Sequence, residues 1–259
     1  MDWTPQRARV DEATFDARRI GPYRLGRRIR VTALGEVRLA IGDAFDEVVA
    51  IERCELLGSL GGSERALLAD VAHVIGLRHP NLVEVLGAGV DGDVPYLVRA
   101  HRLGVTLADA HEAAEDVDLA TAAAILHGVL TVVGFLAEEG AQPGVCSLGG
   151  IDEEDVLLGY DGGVRVTNTG MKLVRCPNGD PLRADLSSAL VLAQALDPSG
   201  ALADHFGEDA NATQTAHRIR RAFRDACGRR NELVGGLLRR HFDLQIQADR
   251  AFFGLVTLH

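Results

Sequence analysis

The hydrophobic period of this chain changes once, and that change limits what it can fold into. Up to residue 98 the apolar residues recur mostly in short runs and alternations that read as strands. From residue 106 onward they recur over longer segments at helical spacing. Strands first and helices afterwards imply segregated α+β layers, not a parallel sheet built from alternating units. Strands are expected from Ile20 through Ile29, over residues 36–40 and over residues 46–53. Ser63, after Gly61-Gly62, is placed to cap a helix running to about residue 77. His79-Pro80-Asn81 should end it, because proline pushes the preceding residue out of the helical region. Residues 82–90 and 94–98 predict two more strands around the turn Asp91-Gly92-Asp93.

The second part predicts helices over residues 107–114, 119–139, 185–196, 211–227, 231–242 and 244–258. A hairpin is expected at residues 156–158 and 164–166, around Tyr160-Asp161-Gly162-Gly163. Residues 1–19 are charged and weakly periodic, and read as an extension, partly disordered. Leu244, Ala248, Ala251, Phe252 and Leu255 form a helical stripe expected to pack on its own lobe.

Composition narrows the function classes. With 259 residues and 47% hydrophobic content, a sizeable core is within reach, as one bilobal domain or two small ones. A net charge of −10 argues against a nucleic-acid binder, which needs a basic stripe. Residues 119–137 hold no Asp, Glu, Lys or Arg and approach membrane-spanning length. Their Ala and Thr content, His127 and flanking acids favour a buried core helix, so no membrane span is expected. The first residues lack a signal pattern. Cys54, Cys146, Cys176 and Cys227 have no metal-ligand spacing and suit a cytoplasmic protein with reduced thiols.

Several local words, in order, resemble the bacterial Ser/Thr protein-kinase family. Pro22-Tyr23-Arg24-Leu25 and Gly35-Glu36-Val37 are similar to its first two strands, and Val49-Ala50-Ile51 to its third. Leu77-Arg78-His79-Pro80-Asn81-Leu82-Val83 resembles the link from the regulatory helix to the next strand. Pro95-Tyr96-Leu97-Val98 followed by Gly104-Val105-Thr106-Leu107 resembles the fifth strand and the hinge. Asp155-Val156-Leu157-Leu158 resembles the end of the catalytic loop, and Asp185-Leu186-Ser187-Ser188-Ala189-Leu190 the central helix of the large lobe. The resemblance implies a bilobal kinase-like fold. A β-rich N-lobe would span residues 20–103 and a helical C-lobe residues 104–259, after the extension at residues 1–19.

The same resemblance implies a dismantled active site. Phosphoryl transfer depends on positioning and charge neutralisation. The glycines that let backbone approach the phosphates fall at Arg30, Thr32 and Gly35, and only the last is glycine. The phosphate-gripping lysine becomes Glu52, and its acidic partner on the regulatory helix falls at Asp70. Arg99 should line the back of the pocket. The catalytic base becomes Gly150, within Leu148-Gly149-Gly150. One metal ligand becomes Asp155, and the Asp-Phe-Gly word becomes Asn168-Thr169-Gly170. Residues 171–184 lack the words of an activation segment and substrate platform.

Two facing acids at Glu52 and Asp70 should part, take up a proton or recruit an arginine, with Arg99 and Arg30 nearest by sequence. Lysine at position 52 is then expected to pair with Asp70 and stabilise the fold modestly. Asp155 with Asn168 could form a residual cation site, but a solvated acid is the favoured account of Asp155, because hard cations want several oxygens together. His73, His79, His101 and His127 are expected in structural roles, and no metal or cofactor is expected. Arg218, Arg220, Arg221, Arg224, Arg229, Arg230, Arg239 and Arg240 make the C-terminal third basic within an acidic chain. Arg220, Arg221 and Arg224 are the candidate docking face for an acidic protein partner. A catalytically inactive regulatory or scaffolding pseudokinase is therefore expected. A nucleotide-binding enzyme of atypical chemistry and a structural subunit of an assembly stay open as alternatives.

Overall fold

The computed structural model describes residues 15, 18–42, 48–114, 116–139, 147–171, 175–176, 180–207 and 210–254. The first lobe is a six-stranded antiparallel sheet: β1 (Arg19–Ile20), β2 (Tyr23–Thr32), β3 (Gly35–Gly42), β4 (Val48–Arg53), β5 (Val85–Asp91) and β6 (Val94–Ala100). Its spatial order is β1-β2-β3-β4-β6-β5. Helix α1 (Glu64–Val74) lies between β4 and β5 in the chain, and the Ser63 hydroxyl accepts the Ala66 N–H at its start. The pairing of β2 with β3 shifts register between Leu25 and Arg28 and again between Arg28 and Arg30. Such irregularities re-aim side chains, and Arg30 leaves the strand toward the second lobe.

Residues 101–103 cross to that lobe. There β7 (Gly104–Thr106) joins β8 (Val156–Gly159) and β9 (Val164–Val166) in a small antiparallel sheet. Gly104 is dictated by proximity, since a Cβ there would lie 2.3 Å from the Leu158 carbonyl oxygen. Helices α2 (Leu107–Ala113), α3 (Leu119–Glu139), α4 (Pro181–Leu196), α5 (Ala212–Ala222), α6 (Arg224–Gly228) and α7 (Arg230–Phe252) complete the lobe. Helix α3 is its axis. Ala122, Ala123, Ala124, Ile125 and Leu126 are fully buried, and 72% of the most apolar window within residues 119–138 is inside the protein. It is long and apolar enough to cross a membrane by length and composition alone, and here it is a core helix.

Local details differ from the sequence reading. Helix α4 starts at Pro181, because the Asp180 carboxylate accepts the Leu182 and Arg183 N–H groups and proline suits the first turn. The two expected C-terminal helices are one, α7, kinked at Phe242 (φ −127°, ψ 19°). Its stripe is rotated from expectation. Ile246, Asp249 and Phe253 are buried, whereas Leu244 is 83% exposed and Ala248 and Ala251 face solvent. The polar Asp249 takes the inner face because it has two donors there. Leu255 lies outside the described residues. Arg19, the last residue of the expected extension, joins Ile20 in the edge strand β1, and Phe15 packs with Leu39 and Phe253. Most of residues 1–17 lies outside the described residues.

Candidate functional site: the cleft between the lobes

The cleft is lined by β2, β3, β4 and β6 above, and by residues 147–171 and Arg175 below. Ala50 pairs with Arg99 across β4 and β6, so Glu52, two residues along β4, sits diagonally from Arg99 on the same face. The Arg99 guanidinium donates to Glu52 Oε2 at 2.5 Å, and the Thr32 hydroxyl donates to Glu52 Oε1 at 2.7 Å. Both ends of the ion pair are buried, Arg99 at 7% and Glu52 at 5% exposure. Burial alone would raise the Glu52 carboxyl. Arg99, Thr32 and Arg30 outweigh it and hold Glu52 below the usual carboxylate range.

Glu52 thus takes its cation from a neighbouring strand. Asp70 is buried on α1 and has an interaction of its own. Of the arginines nearest by sequence, Arg99 is the paired one, and Arg30 acts from farther off. Gly35 serves the hairpin as well as the cleft. It has φ +150°, and a Cβ would lie 2.1 Å from the Arg53 carbonyl oxygen. Thr32 caps the same hairpin by accepting the Leu34 N–H.

Arg30 spans the lobes. It donates to the Glu154 carbonyl oxygen at 2.6 Å and to the Thr167 hydroxyl at 3.5 Å. Arg30, Arg99 and Thr167 line both of two cavities that the cleft holds. The front cavity is about 720 Å³. The hinge-side cavity is about 220 Å³, with Val37, Ala50, Val83 and Leu157 among its walls.

Below, Gly150 has φ +111° and no side chain to act as a base. The buried Asp185 carboxylate holds the loop by accepting the Leu148 and Gly150 N–H groups at 2.9 and 2.8 Å. The Gly150 carbonyl oxygen accepts Asn168 Nδ2 at 2.7 Å and the Arg175 guanidinium at 2.9 Å. Arg175 also donates to Asp155 at 2.5 Å and to Asp152 at 3.2 Å. Asp155 is 7% exposed, so neither an open cation site nor a solvated acid describes it. A guanidinium stands where a cation would. Burial pushes the Asp155 carboxyl up to about 6, with Arg175 pulling the other way. Among the described residues no group of three or more His, Cys, Asp or Glu could hold a metal ion.

Arg175 and Asp185 were missed as site residues in the sequence. Arg175 lies in the stretch that lacks every expected word. The signal for it is indirect: a buried acid needs a cation. Arg220 and Arg221 end α5 and Arg224 begins α6, all exposed, with no carboxylate paired to them among the described residues. His79 and His101 pack against aromatic rings, whereas His73 is exposed. His79 stacks on Phe135 at 5.0 Å and His101 on Phe253 at 5.1 Å.

No family model matches the chain. Solved structures do. A doubly substituted form of the PknI kinase domain from Mycobacterium tuberculosis matches with TM-score 0.64 at 16% identity, over 77% of this chain and 95% of that one. Another structure of that domain gives 0.63 at 15% identity, over 77% and 96%. A singly substituted form gives 0.62 at 17% identity, over 80% and 96%. Likeness at such identities is likeness of fold: the chain has the bilobal α+β fold of a bacterial Ser/Thr protein-kinase domain.

Proposed function

We propose that this chain is a pseudokinase, a catalytically inactive regulatory or scaffolding protein that acts through protein contacts. The observation that carries the reading is Arg175, seated against Asp155 and the Gly150 carbonyl oxygen. The place of metal and base is taken by an internal ion pair. Glu52 with Arg99 does the same on the phosphate side. An added polyanion would meet Glu52 where it needs a lysine, and the arginines near it are already bonded. The exposed arginines Arg220, Arg221 and Arg224 supply the docking face for an acidic protein partner.

The test pairs two measurements on the full chain: phosphoryl transfer from radiolabelled ATP, and thermal melting with ATP, ADP and magnesium. The expected result is no transfer above a contaminant control and no saturable rise in melting temperature. A saturable rise would overturn the inactive-cleft reading.

One observation favours the nucleotide-binding alternative. The hinge-side cavity keeps apolar walls at Val37, Ala50 and Leu157. Adenosine, which carries no phosphate, tests that reading. Stabilisation by adenosine but not by ATP would assign the cavity to a base alone.

A further inference from the structure

The kink at Phe242 divides α7 into two parts with different neighbours. In the first part, Val234, Leu237 and Leu238 are buried in the core of the helical lobe. The second part touches both lobes and the hinge. Its Asp249 carboxylate is the junction: Arg27, on β2 of the first lobe, donates to one oxygen at 2.6 Å. The Tyr160 hydroxyl, in the turn after β8 of the second lobe, donates to the other at 2.7 Å. Arg27 also lies over the Phe252 ring at 4.3 Å. Phe253 stacks on the hinge residue His101 and packs with Leu39 and Phe15 of the first lobe.

One carboxylate shared by donors on two lobes fixes their relation. Rotation about residues 101–103 lengthens one of the two bonds unless α7 moves as well. The group is only 9% exposed, and breaking either bond leaves a buried charge short of a partner. Burial and the bond to Asp249 push the Tyr160 phenol well above its ordinary value, so it stays a donor across the working pH range. The aromatic contacts of Phe252 and Phe253 add apolar burial on the first lobe, so the helix end is held by more than charge.

We propose that residues 243–253 are an intramolecular strap, locked by Asp249 between Arg27 and Tyr160, that holds the two lobes at one angle. This strap acts from the hinge side, opposite the Arg30 bridge at the front of the cleft. Arg27 and Asp249 also line the hinge-side cavity, so the strap's test is run without nucleotide and its outcome is read apart from the melting series.

The test is hydrogen exchange on the full chain, wild type against Asp249→Ala. The Ala100 N–H bonds to the Glu84 carbonyl and the Tyr160 N–H to the Leu103 carbonyl, so peptides over residues 100–104 and 159–163 report the hinge. Loss of the lock should speed their exchange by about tenfold or more while α3 keeps its rate. Unchanged hinge peptides would overturn the proposal. Acceleration of α3 by the same factor would also overturn it, since that marks global destabilisation. If Asp249→Ala does not fold, Tyr160→Phe removes a single hydroxyl and should give the same local pattern at smaller size. An unchanged pattern in that variant overturns the proposal equally.

Discussion

Glu52 and Arg99 form a buried ion pair between adjacent strands of the first lobe, with the guanidinium 2.5 Å from the carboxylate. This pair settles what position 52 can tolerate. A buried pair contributes little net stability compared with well-packed apolar residues, yet breaking one partner is costly because the other stays charged in the core.

Glu52→Lys should therefore destabilise the protein. The sequence reading expected modest stabilisation through Asp70, but a lysine here would face Arg99. The expected loss is about 3–5 kcal/mol, the usual cost of breaking a buried pair. Urea unfolding measures it, and the double exchange Glu52→Arg with Arg99→Glu should recover part of the loss. Full stability in Glu52→Lys would show that Arg99 is not the partner that matters.

Asp155 should give stability a pH slope of defined sign. Its folded value is about 6 against an ordinary 3.8, so between these values the native state binds more protons than the unfolded one. Its contribution to stability then falls as pH rises from about 4 to about 6. Asp155→Asn should flatten that slope, and Arg175→Ala should steepen it. Urea midpoints measured from pH 4 to pH 7 on the three proteins decide the matter.

His101 should act with the opposite sign in nearly the same window. Burial, with Arg27 nearby, lowers its imidazole to about 4 from 6.5. The unfolded state binds the proton more readily, so stability falls as pH drops through about 6.5 toward 4. At 1.36 kcal/mol per pKa unit the loss reaches roughly 3 kcal/mol at most. His101→Leu should be less sensitive to acid than wild type over this range. An identical acid limb in the variant would remove the assignment.

Reversing Arg220, Arg221 and Arg224 to Glu should weaken capture of an acidic protein partner, mainly at low salt. Rim charges steer association and are screened as ionic strength rises. Far-ultraviolet circular dichroism controls for the fold. Partner affinity that is unchanged at low salt, with the fold intact, would remove these arginines from the docking face.

What the sequence by itself determined is local or periodic in origin. Ser63 starts α1 because its hydroxyl reaches the Ala66 N–H three residues on. The hairpin turn after β8 follows from Gly162, at φ +78°. Helix α3 emerged with its expected bounds because an unbroken apolar stretch of that length is stable only when buried on every side. That position 150 holds a glycine and position 52 a glutamate was also legible, since both are identities of single residues.

The tertiary structure decided where the charges went. Arg175 reaches Asp155 across 20 positions, and Arg99 reaches Glu52 across 47. Arg27, Tyr160 and Asp249 meet from three distant segments. No periodicity encodes such partnerships, because a guanidinium on a long stem can serve any acid the fold brings near it. The outward turn of Leu244 has the same origin. The pattern at the end of α7 allowed either face to pack, and the buried face was chosen by two donors waiting for Asp249 on different lobes.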